Sequence, residues 1–346
     1  MLAYILDPFL DPTKPVPTRH THFMESRLMA DAFLNRGYDV EVTQFDNLAF
    51  RPRAEYRVLV SARTNLERLA DRARGDPLTI AHLDTSHYVY NNRAAYDRAL
   101  ALQQRRGITS RSIRLIEANA AIERAALGTV LGNRDFTLTT YAYAGKPLYA
   151  LPVPAAALPW LDRDYATARR RFLWLGSAGF VHKGLDLVLE AFAATPGLEL
   201  TVCGPLAHDT EFTAQFAREL YRTPNVQAHG WIDVGGPGMI EIARRTAAFI
   251  YPSCAEGQAG SAVIAMHAGL VPIVTPQTGI DVGDFGVLLR DSGTAAIADA
   301  VQYVADLPIA ELRDRSRAAW EYAQRHHTAA AYRAAYDAVL DAVLPA

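Results

Sequence analysis

Short apolar runs bounded by turn residues, and separated by stretches with helical spacing, recur along the whole chain. Leu2 to Leu6, Val40 to Thr43, Arg57 to Ser61, Leu78 to His82, Thr129 to Leu131 and Pro147 to Leu151 read as strands. They lack in–out alternation, as parallel strands do when helices cover both faces. Helices are predicted near Thr21 to Arg36, with Phe23, Leu28, Ala32 and Phe33 on one side and Gly37 at the end, and over Arg93 to Arg106 and Ser112 to Ala126. This alternation predicts an α/β fold with a doubly wound parallel sheet.

A proline-bearing, polar and basic segment, PAAALPWLDRDYATARRR, interrupts the rhythm, and then the rhythm restarts. RRFLWLG, LELTVCG, VQAHG, AAFIYPS and GVLLRD read as strands. HKGLDLVLEAFAAT, DTEFTAQFARELYR and PGMIEIARR read as helices, and two long helical segments, Ala295 to Ala305 and Ala310 to Val343, close the chain. The partition that follows is a first domain over 1–155, a linker over 156–170 and a second domain over 171–315, with a last helix over 316–346. The second domain is organised around Phe249 to Thr275, a strand, a polar loop, a small-residue helix and another strand.

The length of 346 residues agrees with two domains, and 50% hydrophobic with 21% charged residues is the composition of a globular protein rather than a disordered one. The net charge of -2 conceals an asymmetry. Residues 1–171 hold 24 Lys and Arg against 18 Asp and Glu, a net +6; the remainder holds 11 against 19, a net -8. The basic half is expected either to meet an anionic acceptor or the inner face of a membrane, with Arg105, Arg106 and Arg169 to Arg171 as the contact, or to be ordinary solvated surface. No nucleic-acid partner is expected. Cys203 and Cys254 each end a predicted buried strand, which argues against a disulfide framework and for a reducing cytoplasm. The start, MLAYILDPFLDP, predicts a first strand and no signal peptide.

The candidate chemistry lies where strands end, since ligands of such sheets bind at the carboxyl edge. After the strand ending at Ile250, the loop brings Glu256, Gly257, Gln258 and Ala259 to a helix opening at Gly260 and Ser261, whose free amides suit an anion. In GSAGFVHKG, Gly176 and Ser177 follow a strand, and Lys183 precedes a helix, on the same edge as Glu256. Gly204 ends the next strand. In the first half HLDTSHYVYNNR presents His82, Asp84 and His87 as a polar cluster after a strand. Neither half carries a GxGxxG dinucleotide fingerprint, which leaves a nicotinamide-dependent oxidoreductase a distant third reading.

Over Phe172 to Leu289 these motifs resemble the GT-B glycosyltransferases of family 4, the group 1 glycosyl transferases. The resemblance rests on Gly176, Lys183-Gly184-Leu185-Asp186, Gly204, Pro252 to Gly257, Ala265 to Gly269 and Pro272 to Val274. It implies two facing Rossmann-like domains, the second binding the nucleotide sugar and the first the acceptor, with the last helix crossing back. It implies catalytic roles for Lys183, Glu256 and His82, donor contacts from Gly176, Ser177, Gly204 and Gly257 to Ser261, and acceptor or supporting roles for Asp84 and His87. It further implies retention of configuration, no metal and no cofactor, with a glycan, lipid-linked or small-molecule acceptor. Two positions depart from the pattern. Ile264 stands where the family holds the ribose with a second Glu, and Ser177 where it has a phosphate-binding Arg. A non-catalytic GT-B protein that binds a nucleotide or a partner glycosyltransferase is the alternative these departures leave open.

Overall fold

The computed structural model describes residues 1–11, 13–17 and 20–345. The first parallel sheet is built from β1 (Leu2–Tyr4), β2 (Val42–Gln44), β3 (Val58–Ala62), β4 (Leu78–Leu83), β5 (Leu127–Leu131) and β6 (Leu148–Leu151), in the order β2-β1-β3-β4-β5-β6. The second comprises β7 (Arg171–Leu175), β8 (Glu199–Cys203), β9 (Val226–Gly230), β10 (Ala248–Tyr251), β11 (Val271–Val274) and β12 (Val287–Leu288), in the order β12-β11-β10-β7-β8-β9. Each order reverses once, between β1 and β3 and between β7 and β10. A crevice opens at such a switch point because the flanking loops leave on opposite faces. β3, β5, β10 and β11 are buried along their whole length, as their uninterrupted apolar runs require.

Three predicted helices are corrected. Of Ser112 to Ala126, only Ala121–Arg124 is helical. The segment before it is held open by side-chain amides: Asn92 both donates to the Ile116 carbonyl and accepts from its amide, each at 2.8 Å, and Asn91 donates to Arg114 O at 3.3 Å. These bonds replace the backbone pairs a helix would have used. The segment Ala310 to Val343 is two helices, Ile309–His326 and Ala329–Val343. The break at His327 and Thr328 directs the last helix from the second sheet to the first. There Tyr336 packs edge-on against Phe33, and Arg36 pairs with Asp337 and Asp341. Thr328 caps the new helix by accepting from the Ala331 amide at 3.2 Å. The stretch DTEFTAQFARELYR is likewise two short helices, Thr210–Gln215 and Ala217–Tyr221.

The charge asymmetry has a structural use. The long helix Tyr88–Arg106 lays its arginines on acidic residues of the second half. Arg105 binds Asp186 and Glu190 at 2.7 Å each, Arg106 binds Glu219 at 2.8 Å, and Arg98 donates to Pro252 O at 3.0 Å. Arg169 donates to Ala305 O, and Arg171 pairs with Glu199 at 3.0 Å. Arg105 and Arg106, read from the sequence either as a membrane contact or as solvated surface, are engaged between the two halves. Among the described residues no helix is long and apolar enough to cross a membrane.

Asp186 is fully buried and depends on these cations for its charge. Arg105→Ala is expected to destabilise the protein by about 2 to 3 kcal/mol by removing that carboxylate's hydrogen-bonded cation. Thermal unfolding reads this as a lower midpoint, and adding Asp186→Asn should recover most of the loss. A loss unchanged by the second substitution would rule out a charge origin.

Candidate active site

The loops leaving β1 to β4 and β7 to β10 enclose a cavity of about 630 Å³ between the sheets, so both switch points open into one space. On the second-sheet side, Lys183 and Glu256 are 4% and 8% exposed. Lys183 Nζ donates to Tyr251 Oη at 3.0 Å and lies 3.5 Å from Glu256 Oε1. That oxygen also accepts from Ser253 Oγ at 2.9 Å and Tyr251 Oη at 3.2 Å, while Oε2 accepts from Arg114 Nη1 at 3.2 Å. Burial by itself would raise the Glu256 carboxyl, but Lys183 and Arg114 hold it well below the usual carboxylate range. Burial lowers the Lys183 ammonium, with Glu256 opposing.

The helix Gly260–His267 opens into the same space with Ala259 at its N-cap and no side-chain cap. Its first amides have no acceptor within the helix, so an anion at this end gains both hydrogen bonds and dipole. The sequence-predicted donor residues Gly176, Ser177, Gly204 and Gly257 to Ser261 all line the cavity, together with Ile264. Two of them do more than that reading foresaw. Gln258 ties the halves together, its Oε1 accepting from the Val153 amide at 2.7 Å and its Nε2 donating to Gly279 O at 3.1 Å, so its amide is already engaged. Gly257 lets the halves approach closely, because a Cβ there would sit 2.6 Å from Asp84 O.

On the first-sheet side, Asp84 lines the cavity and is gripped by Arg63 through Nε at 3.0 Å and Nη2 at 2.8 Å. Arg63, with φ of 56°, occupies the left-handed region that a non-glycine residue adopts only under strain, and it does so at the cavity wall. His82 is not in a loop. It belongs to β4, is 0% exposed and sits beneath the cavity, with Nδ1 3.0 Å from Thr129 Oγ1; burial pushes its pKa down to about 4. His87 caps the helix Tyr88–Arg106 and meets Tyr143 Oη at 2.9 Å outside the cavity.

Sequence reasoning missed Arg114, Arg63 and the His20–His22 pair, all of which line the cavity. Arg114 was hidden by the helical reading of its segment. The histidines were legible in principle, because the Pro-rich loop after the first predicted strand ends in His-x-His at a helix start on the same sheet edge. His20 accepts from the His22 amide at 3.2 Å, and the two rings stand 4.3 Å apart. His22 lies 3.9 Å from both Asp84 Oδ2 and Glu25 Oε2.

Glu25 is 0% exposed and accepts from Tyr4 Oη at 2.7 Å, and burial raises its pKa to about 8 from 4.5. A folded-state pKa above the unfolded one contributes stability that is full below the unfolded value and lost as pH rises through the folded one. Glu25→Gln is therefore expected to gain stability relative to the parent protein between about pH 5 and about pH 8, by a few kcal/mol. Chemical denaturation across that range measures it, and a difference independent of pH would show that Glu25 is not protonated in the fold.

Residues 169–306 match the family described as Glycosyl transferases group 1. No curated protein matches the chain in sequence. Staphylococcus aureus TarM, solved with Fondaparinux, alpha-GlcNAc-glycerol and UDP, superposes with a TM-score of 0.58 at 11% identity, over 80% of this chain and 54% of its own. The chain thus spans about half the length of TarM. Anabaena HepE in complex with UDP and glucose has a TM-score of 0.58 at 12% identity, covering 82% of this chain and 78% of that one. Sucrose-phosphate synthase from Thermosynechococcus elongatus reaches 0.60 at 15% identity, over 97% and 82%. At these identities the superpositions show the fold alone, and residues 169–306, the segment that carries Lys183 and Glu256, match the model of the group 1 glycosyl transferases: the chain has the GT-B architecture of two Rossmann-like domains.

Proposed function

We propose that the protein transfers a sugar from a nucleoside-diphosphate sugar to a hydroxyl-bearing acceptor, a glycan, a lipid-linked sugar or a small molecule. The observation that carries this reading is the buried Lys183–Tyr251–Glu256 cluster beside the open N-terminus of the Gly260–His267 helix, at the switch point of the second sheet. Lys183 and the helix amides neutralise the charge that grows on the departing diphosphate. Glu256 holds Lys183 in place and accepts from the hydroxyls of the transferred sugar. The likeness to HepE, solved with UDP and glucose, supports a uridine donor.

Attack comes from the face the diphosphate leaves. The anomeric C–O bond to the diphosphate breaks, the acceptor oxygen bonds to the same carbon, and its proton passes to a phosphate oxygen of the leaving group, so configuration is retained. Because protein cations and amides supply the neutralising charge, the reaction proceeds without a metal.

Lys183→Ala and Glu256→Ala are each expected to lower kcat/KM by about a hundredfold or more with UDP-glucose as the donor offered. EDTA is expected to leave the rate unchanged, and proton NMR of the product to report the donor's anomeric configuration. Full activity in both variants would overturn the assignment. Ile264 at the cavity wall favours a second reading, a GT-B protein that binds nucleotide without turnover. Saturable UDP binding with no product over a broad panel of donors and acceptors would select it.

A further inference from the structure

Arg114 belongs to the first half of the chain, yet its guanidinium lies in the anion site of the second. Asn91 and Asn92 hold its segment open, so the side chain leaves the backbone toward the cavity rather than lying along a helix. Its stem crosses Gly179, where a Cβ would stand 3.0 Å from Arg114 Cδ. The loop between β7 and Lys183 therefore makes room for this particular side chain.

The arginines of the Tyr88–Arg106 helix that dock the two halves each engage more than one acceptor: Arg105 binds Asp186 and Glu190, Arg106 binds Glu190 and Glu219, and Arg98 binds Pro252 O and Ser292 Oγ. Arg114 differs from them. Among the described residues its one recorded carboxylate is Glu256, reached through Nη1 alone. Its approach to His182 Nε2 at 3.4 Å is no substitute, because that nitrogen donates to Ala255 O at 2.5 Å and so carries the proton. Lys183 and Arg114 thus set two positive charges against the single carboxylate of Glu256, with guanidinium donors left over in a cavity lined by both.

We infer that Arg114 is a phosphate-binding residue supplied by the first domain to a diphosphate held on the second. This rests on the donor-site reading above and adds to it a residue from across the cleft. A diphosphate beside Lys183 takes up the unused guanidinium donors, so binding it draws on both halves and favours the closed arrangement. Ser177 offers no cation at this site, and Arg114 provides one from the opposite wall.

Calorimetric titration with UDP, and with uridine as the phosphate-free control, tests this on Arg114→Met, Arg114→Lys and Lys183→Ala. Methionine keeps the apolar stem over Gly179 and removes the charge. The expected result is UDP binding weakened about tenfold to a hundredfold in Arg114→Met, uridine binding unchanged, and partial recovery in Arg114→Lys. UDP binding intact in Arg114→Met but weakened in Lys183→Ala would overturn the inference and leave the donor site standing. Equal losses for UDP and uridine would also overturn it, since the residue would then be shaping the fold. Binding unchanged in every variant would overturn the donor-site reading and the inference together. Should Arg114→Met fail to fold, the UDP-to-uridine ratio in Arg114→Lys decides, an unchanged ratio counting against the inference.

Discussion

A carboxylate buried between two cations from different parts of the chain is the constraint on which the cavity depends. Glu256 could not remain ionised at 8% exposure without Lys183 and Arg114, and Lys183 would not stay charged at 4% exposure without Glu256. Ser253 and Tyr251 complete its hydrogen bonds. The result is a preorganised patch of positive potential around the buried Lys183 and Glu256, where electrostatic interactions are stronger than in bulk. The helix N-terminus at Gly260 extends that patch along the floor of the cavity.

The same pairing of basic first half with acidic second half assembles the wider interface. Arg98, Arg105 and Arg106 share one helix and meet carboxylates and a carbonyl across the cleft; Gln258 and Gly257 bring backbone to backbone beside the cavity. An interface built from ion pairs and amide hydrogen bonds is more polar than a domain core, and polar interfaces within a chain are the ones that move. The last helix, returning to Phe33 and Arg36, joins the halves at a second place away from the cleft.

Much of this was legible beforehand. The strands of both sheets, the placement of Lys183 and Glu256 at one sheet edge, and the small-residue helix after Ala259 follow from apolar runs and glycine positions. Local pattern failed where a tertiary partner overrode it. The residues around Arg114 carry helical spacing, but Asn91 and Asn92 hydrogen-bond the backbone at Arg114 and Ile116 in place of a helix. His82 opens a polar stretch at the end of a predicted strand, yet pairing with β3 and β5 keeps it within the sheet and fully buried. Arg105 and Arg106 look like a surface patch until the acidic helices of the other half are set against them.

By itself, then, the chain's order of apolar runs determined the two parallel sheets and which loops reach their carboxyl edges, because strand burial and helix crossover are governed by short-range periodicity. Which side chains face one another across the cleft was decided only by the tertiary structure. Arg114 and Glu256 are 142 residues apart, and the electrostatic energy that joins them depends on distance in space, to which sequence spacing is blind.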